Sequence, residues 1–109
     1  MAFDEELTQR IRDRLAGVPG VTGKQMFGRF VFLIDGNLAV GVTGADLMVR
    51  VGPENAETAL ARPSVRPSDM NGRRMAGWVL VDGSSLDDDR ALDEWIGRAR
   101  AYVATLPPK

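Results

Sequence analysis

The sequence predicts a two-layer α+β domain, in which an antiparallel sheet packs against N-terminal, middle and C-terminal helices. Two observations support this fold class. Apolar residues recur at intervals of three and four near both ends of the chain, as in helices that bury one face. Across residues 21–51 they alternate with a period of two between short turns, which is typical of a meander of three to four strands. A second hairpin is predicted before residue 82, and the 109 residues are expected to form a single domain, 1–109.

The first helix is predicted over residues 4–16. Asp4 is a suitable N-cap, because its side-chain oxygen can accept hydrogen bonds from the backbone N–H groups of the first turn. The apolar stripe that would face the sheet comprises Leu7, Ile11, Leu15 and Ala16. Gly17, followed by a Pro-Gly pair, is expected to end the helix.

The predicted meander begins at residue 21. Its segments are a strand Val21–Phe27, a corner at Gly28-Arg29, a strand Arg29–Ile34, a turn Asp35-Gly36-Asn37 and strands over 38–43 and 47–51. In the second strand, Phe30, Phe32 and Ile34 point to one face of the sheet. Val31 and Leu33 point to the other face, so either both faces are covered or a partner buries one of them.

The second half of the chain returns to mixed structure. It is predicted to contain a helix from Pro53 to about Ala61, a short strand near Met70, a turn at Gly72-Arg73-Arg74, a strand Gly77–Val81 and a C-terminal helix. Ser84 or Ser85 is the predicted N-cap of that last helix, with Asp87 or Asp88 three residues on. Its apolar stripe comprises Leu92, Trp95, Ile96, Ala99, Tyr102, Val103 and Leu106.

Composition argues against several classes of function. The chain has no Cys and no His, so thiolate nucleophiles, disulfides, and the commonest general base and metal ligand are all lacking. We therefore expect no enzymatic activity, no metal and no cofactor. The net charge of −1 provides no general attraction to nucleic acid, and no apolar run is long enough to span a membrane. The cytoplasm is the expected compartment. The acidic run Asp87–Asp89 has the wrong spacing for a calcium loop and suits a helix N-terminus.

Arg50 is the first candidate binding residue. It lies in an apolar strand just before the Gly52-Pro53 helix start, where an arginine and free backbone N–H groups could together hold an anion. The favoured alternative is a structural ion pair with one of the carboxylates of Asp46, Glu54 and Asp82.

Large apolar side chains beside glycines form a second candidate feature. A glycine next to a bulky residue in a strand marks a bulge or a close backbone approach. Phe27 and Trp78 are expected in the core, and methionines 26, 48 and 75 could line a shallow apolar pocket between the two hairpins. The residues of these motifs are Met26, Phe27, Gly28, Gly52, Pro53, Gly72, Met75, Gly77 and Trp78.

Basic residues form the third candidate feature. Arg73 and Arg74 fall in a predicted hairpin turn, where solvation and edge protection are favoured over contact with a partner. The candidate contacts to a ligand or partner are Lys24, Arg29, Arg50, Arg66, Arg73 and Arg74.

Several of these motifs, taken in order along nearly the whole chain, resemble the TfoX N-terminal domain family. They include Met26-Phe27-Gly28, Asp46 to Glu54, Arg66-Pro67, Gly72-Arg73, Met75, Gly77-Trp78-Val79, Val81-Asp82 and Leu106-Pro107-Pro108-Lys109. Arg29 and Arg74 stand where the family often has glycine and proline. The resemblance implies an α+β fold similar to secretion chaperones, without catalytic residues. It also implies kinship with two-domain regulators of DNA-uptake competence genes, which act beside a transcription factor and carry a further C-terminal helical domain.

These observations favour a non-catalytic cytoplasmic protein-interaction or regulatory module, with a contact surface at the second hairpin and the Arg29 corner. Its expected partner is another, transcription-related protein, and the two-sided apolar strand also permits a homodimer. One alternative is an anion or small-ligand binding domain that uses Arg50 and the Gly52-Pro53 helix start. Another is a weak nucleic-acid-associated transcriptional accessory protein, although the near-neutral charge argues against nucleic-acid binding by the isolated domain.

Overall fold

A computed structural model describes residues 3–70 and 73–109, with the side chains of all of them except residues 69, 70, 73 and 74. The described helices are α1 (Glu5–Leu15), α2 (Pro53–Leu60) and α3 (Asp89–Val103), with a short 3-10 helix over Gly83–Leu86. The strands are β1 (Val21–Met26), β2 (Arg29–Ile34), β3 (Asn37–Thr43), β4 (Asp46–Arg50), β5 (Val65–Met70) and β6 (Arg73–Val81). The predicted α+β class is confirmed.

The six strands form one antiparallel sheet in the order β1-β2-β3-β4-β6-β5. Strands β1 to β4 are the predicted meander, and β5 and β6 are the predicted second hairpin. The hairpin joins the meander through β6, whose Val79 and Val81 pair with Val49 and Leu47 of β4. Strand β5 is therefore an outer strand, although it precedes β6 in the chain.

The helices cover one face of this sheet, which we call the first face. The strands contribute Phe32, Val40, Val42, Leu47, Val49, Val79 and Val81 to the core on this face. The helices contribute Leu7, Ile11, Leu15, Ala59, Leu92, Trp95, Ile96, Ala99 and Val103 to the same core. The N-terminal helix begins as predicted, because Asp4 accepts hydrogen bonds from the backbone N–H groups of Glu6 and Leu7.

The opposite face of the sheet, which we call the second face, carries the other half of the alternation. Strand pairing aligns one row across all six strands, comprising Lys24, Val31, Gly41, Met48, Leu80 and Arg66. The row is apolar in its centre and basic at both ends. None of the buried helical residues named above packs in a cluster with Val31 or Met48. The expectation that β2 is apolar on both faces is thus confirmed.

The turn between β1 and β2 corrects the prediction for Phe27. Strand β1 ends at Met26, so the turn is formed by Phe27 and Gly28, with φ angles of 53° and 75°. The Phe27 side chain is 85% exposed. Its expected place in the core is wrong, because the turn begins one residue earlier than the sequence suggested and carries the ring off the end of the sheet.

The second hairpin and the last helix also differ from the predictions. Arg73 and Arg74 lie in β6, with Arg73 opposite Met70, so these two residues belong to a strand and not to the turn predicted over residues 72–74. Gly72 lies outside the described residues. The predicted serine caps are wrong, because Ser84 and Ser85 belong to the 3-10 helix. The N-cap of α3 is Asp88, whose carboxylate accepts from the backbone N–H of Arg90 at 2.9 Å.

Candidate functional site

Four of the six basic residues singled out in the sequence share the second face of the sheet. Strand pairing places Lys24 and Arg29 at the β1–β2 end, Arg50 at the end of β4, and Arg66 on the outer strand β5. Arg73 and Arg74 are the first two residues of β6, and their side chains lie outside the described set. The sequence grouped these cations only by their charge, and it is the strand order that places four of them on one face.

The centre of the second face is apolar and closely packed. Val31 and Met48 each retain 4% of their exposure, and Leu33, Leu38 and Leu80 around them are half-buried. A sheet face that meets only water normally carries polar side chains at alternate positions. This face is therefore apolar in its centre, where only Leu33, Leu38 and Leu80 of these residues keep partial exposure, and it has cations at its borders.

Arg66 is held by two carboxylates. Its Nη2 donates to Asp46 Oδ2 at 2.9 Å and to Asp82 Oδ1 at 3.0 Å. The hydrogen bond to Asp46, together with the negative charges of both carboxylates, raises the pKa of Arg66 above its ordinary value. Asp46 also accepts from the backbone N–H of Gly83 at 2.9 Å. The positive charge of Arg66 is thus compensated by the carboxylates of Asp46 and Asp82.

Arg50 is held by aromatic rings and a carbonyl group. Its Nη1 donates to the carbonyl oxygen of Leu38 at 3.3 Å, and its guanidinium lies 5.8 Å from the ring centroid of Trp78 and 5.7 Å from that of Tyr102. Both distances fit cation–π contacts. Among the side chains that the structure describes, no carboxylate forms an ion pair with Arg50. The favoured ion pair with Asp46, Glu54 or Asp82 is therefore wrong within that set.

The paired glycines beside Arg50 make the close backbone approach that the sequence suggested. Gly52 and Gly77 have φ angles of 91° and 83°, which glycine adopts without strain. A Cβ at position 52 would lie 2.5 Å from a ring carbon of Tyr102, and one at position 77 would lie 3.1 Å from Pro53. Trp78 is buried as predicted, with 8% exposure. Tyr102, read from sequence as one member of a helical stripe, is the residue of this junction that sequence reasoning missed.

The same junction weakens the anion-site hypothesis. The backbone N–H groups of Val51 and Gly52 both donate to the carbonyl oxygen of Gly77, at 2.9 and 3.0 Å. Pro53 has no N–H, and Asn55 N–H bonds within the helix start to Gly52 O at 3.1 Å. The free donors that an anion would need are therefore largely occupied.

A cleft of about 590 Å³ does adjoin this helix start, and Tyr102 is one of its walls. Arg50 is not among the residues that line it, and the arginine that does, Arg98, is paired with Glu94 at 2.9 Å. The carboxylate of Glu54 lies in the same wall and disfavours an anion. The cleft is therefore large enough for a small ligand, but the charges of its lining residues do not favour an anion.

A smaller cavity of about 270 Å³ lies between α2 and the bulged start of β6. Ala56 and Leu60 line it from the helix, and Met75 and Trp78 line it from the strand. The sequence suggested a pocket between the two hairpins with Met75 as one wall, whereas Met75 lines a pocket between α2 and β6. The pocket opens beside α2, however, so Met26 and Met48 are not among its lining residues.

The described residues also bear on metal binding and on membrane insertion. No three acidic side chains in the described part of the chain lie together as a metal-binding group. No helix within residues 3–70 and 73–109 has both the length and the hydropathy needed to cross a bilayer.

Comparison with known proteins gives one match. A family model described as the TfoX N-terminal domain matches residues 13–102, which include every described strand, all of α2, all but the last residue of α3 and the end of α1. No curated protein and no solved structure matches the chain. The likeness to secretion chaperones, which the sequence resemblance implied, therefore stays a prediction.

Proposed function

We propose, from the premise that this chain belongs to the TfoX N-terminal domain family, that it is a non-catalytic regulatory module that binds another protein. The family is linked to competence regulation, so a transcription-related protein is the proposed partner. The cytoplasm is the proposed compartment, since a chain without Cys needs no oxidising environment to fold.

One observation carries the proposal. The second face carries an apolar row through Val31, Gly41, Met48 and Leu80, and the buried residues of all three helices pack on the other face. Val31, Gly41 and Met48 are already buried within the chain, whereas Leu33, Leu38 and Leu80 around them remain half-buried. Burial of the surface that these leucines still expose would contribute roughly 25 cal/mol per Å² of apolar area, before the costs of association. Lys24 at its border would favour a partner with carboxylates around an apolar centre.

The experiment compares what wild-type protein and two variants retain from a native lysate, with quantification by mass spectrometry. Leu80→Glu and Leu38→Glu place a charge on half-buried positions of the second face. Leu106→Glu is the matched control, because Leu106 is also half-buried but lies after α3, in a cleft beside the β2–β3 turn and outside the second face. We expect a discrete partner to be lost from both second-face variants and retained by the control.

The same comparison can contradict the proposal. A circular dichroism melt first establishes that each variant is folded. If folded Leu80→Glu and Leu38→Glu proteins retained the same partners as wild type, the second face would not be the contact surface. Retention of no specific protein by any of the four forms would contradict the module as a whole.

A further inference from the structure

The turn between β1 and β2 holds an aromatic ring in water at a conformational cost. Of the large apolar side chains that the structure describes, Phe27 alone is exposed, and its φ of 53° lies in the left-handed region. A non-glycine residue in this region destabilises the fold by on the order of 1 kcal/mol, and asparagine and aspartate are the residues that adopt the region most readily. The exposed ring gains nothing from the fold in return. Strain of this kind at an exposed apolar residue indicates a contact made outside the chain.

The surroundings of Phe27 are basic. Lys24 is exposed and Arg29 is half-buried, and each lies within three residues of the ring. No acidic residue occurs between positions 21 and 34. The turn with its two cations, which we call the Phe27 tip, therefore combines one aromatic ring with a local positive charge.

The cavity between α2 and β6 has the complementary properties. Its walls are apolar, and its volume of about 270 Å³ exceeds the roughly 150 Å³ in which a buried apolar cavity holds a benzene ring. Glu57 stands at its edge. Helix α2 also carries Glu54 and has no basic residue over Pro53–Leu60, so the helix side of the cavity is negatively charged. The cations near the cavity are on the strand side, where Arg50 lies 5.8 Å from the ring centroid of Trp78 and Arg73 and Arg74 precede Met75 in the chain.

We infer that the Phe27 tip of one copy docks into the α2–β6 cavity of a second copy of this chain. Both halves of the contact are present on one molecule: the cavity has room for a ring, and the cations of the tip would lie against Glu57 on its α2 side. The contact joins two different patches, so it closes into a pair or small ring if the geometry allows and otherwise extends as a chain. The cavity lies outside the apolar row of the second face, and Lys24 is the one residue named both in the tip and at the border of that row.

Two other partners fit the tip less well. A membrane surface is held stably by two anchoring signals, and one ring with two cations supplies little of either. A nucleic acid would require phosphate contacts along a broader basic surface than Lys24 and Arg29 provide. A protein cavity of limited size matches a single ring.

The first experiment is sedimentation of the full chain from about 10 μM to about 1 mM, a range suited to a small contact surface. We expect wild type to associate with rising concentration and Phe27→Ser to remain monomeric. Phe27→Tyr keeps a ring and is expected to associate. Ala76→Arg is expected to be monomeric, because Ala76 is exposed and lines the cavity, where an arginine repels the basic tip.

Mixing the two monomeric variants gives the decisive measurement. Phe27→Ser keeps an intact cavity and Ala76→Arg keeps an intact tip, so an equimolar mixture should form a one-to-one complex. Exchanging the charges across the contact provides a second test. Glu57→Arg should weaken association at least threefold, and the double variant that also carries Lys24→Glu should regain part of the lost affinity. Glu6→Arg makes the same charge change on α1 and should have no effect.

Several outcomes would overturn the inference. They are a wild-type protein that is monomeric at every concentration, a Phe27→Ser variant that associates like wild type, and a mixture that stays monomeric. Retention of monomeric wild type on anionic vesicles or single-stranded DNA through Phe27 would assign the tip to another partner. Leu80→Glu should associate like wild type, so this inference and the proposed function can fail separately.

Discussion

Two turns of the same conformation lie at opposite ends of β2, and they differ in what they contribute. Asp35 and Gly36 have φ angles of 51° and 83°, close to the 53° and 75° of Phe27 and Gly28. The Asp-Gly pair suits this conformation, whereas phenylalanine does not. The Asp35 turn is also tied to the rest of the chain, since Asp35 N–H donates to Gly20 O at 2.9 Å and Asp35 O accepts from Lys109 N–H at 2.8 Å. Two turns with similar positive φ angles thus differ in role, since one is tied to the rest of the fold and the other exposes a side chain.

The largest effect should separate two phenylalanines of this region. Phe32→Ala removes a ring that is 2% exposed in the core and should lower the free energy of unfolding by about 3–5 kcal/mol. Phe27→Ala should leave it nearly unchanged, because the ring has no buried surface to lose. Urea unfolding of both variants measures the difference. A loss above about 1.5 kcal/mol for Phe27→Ala would mean that the ring contributes to the fold after all.

A second effect tests whether left-handed glycines are strained by φ alone or by their neighbours. Gly52→Ala combines φ of 91° with a collision against Tyr102 and should cost about 2–4 kcal/mol in thermal unfolding. At Gly44, where φ is 57°, no atom lies within 4 Å of an added Cβ. Gly44→Ala should therefore cost only the strain of the left-handed backbone, about 1–2 kcal/mol. Gly17→Ala is the control, with no atom within 4 Å and no positive φ. Equal costs at positions 52 and 44 would remove any role for the Tyr102 ring.

A smaller effect of opposite sign would sharpen the comparison between the turns. Phe27→Asn gives the β1–β2 turn a residue that tolerates the left-handed region, and it should stabilise the protein by about 0.5–1 kcal/mol. That gain corresponds to a rise of roughly 2–6 °C in melting temperature. The reciprocal Asp35→Phe should be destabilising by a similar amount. If Phe27→Asn melted below wild type, the phenylalanine would be favoured by the fold and its exposure would need another explanation.

The smallest effect concerns pH and the contact between α1 and α3, remote from either turn. Hydrogen bonds from Arg10, together with the charge of Arg14, hold the pKa of Asp89 below its ordinary value. A lowered pKa stabilises the folded state above the unfolded value, and this contribution is lost as the pH falls through the folded value. Stability should therefore decline slightly below about pH 4, and less steeply in Asp89→Asn. The urea midpoints of wild type and Asp89→Asn, measured across pH 3–7, test this difference. If the two proteins lost stability equally at acid pH, Asp89 would not be the group responsible.

The sequence predicted much of this fold because alternation and helix caps are local signals. The strand Arg29–Ile34, the Asp35-Gly36 turn and the helix from Pro53 to Leu60 all agree with their patterns. The order of β6 and β5 was beyond reach, since both orders leave the hairpin intact. The exposure of Phe27 was missed for a physical reason: an aromatic residue after a strand resembles core, and turn propensity does not favour phenylalanine.

The candidate site was harder to predict than the fold. Asp46 and Asp82, two of the predicted ion-pair partners of Arg50, form ion pairs with Arg66 instead. The strand order β4-β6-β5 brings these three residues together. Tyr102 meets Arg50 only because α3 crosses the chain at Gly52, and no spacing in the sequence reports that crossing. Contacts between distant segments decided the roles of these charges, whereas local patterns decided which elements carry them.

The placement of β5 as an outer strand has a consequence for how this protein resists misassembly. Pro67 lies within β5 and has no N–H to donate, so that margin of the sheet is a poor template for a further chain. The opposite margin, β1, contains no proline over Val21–Met26 and relies on the charge of Lys24. Growth of fibrils, under conditions that loosen the native state, would accordingly start at β1 and proceed in one direction from each molecule.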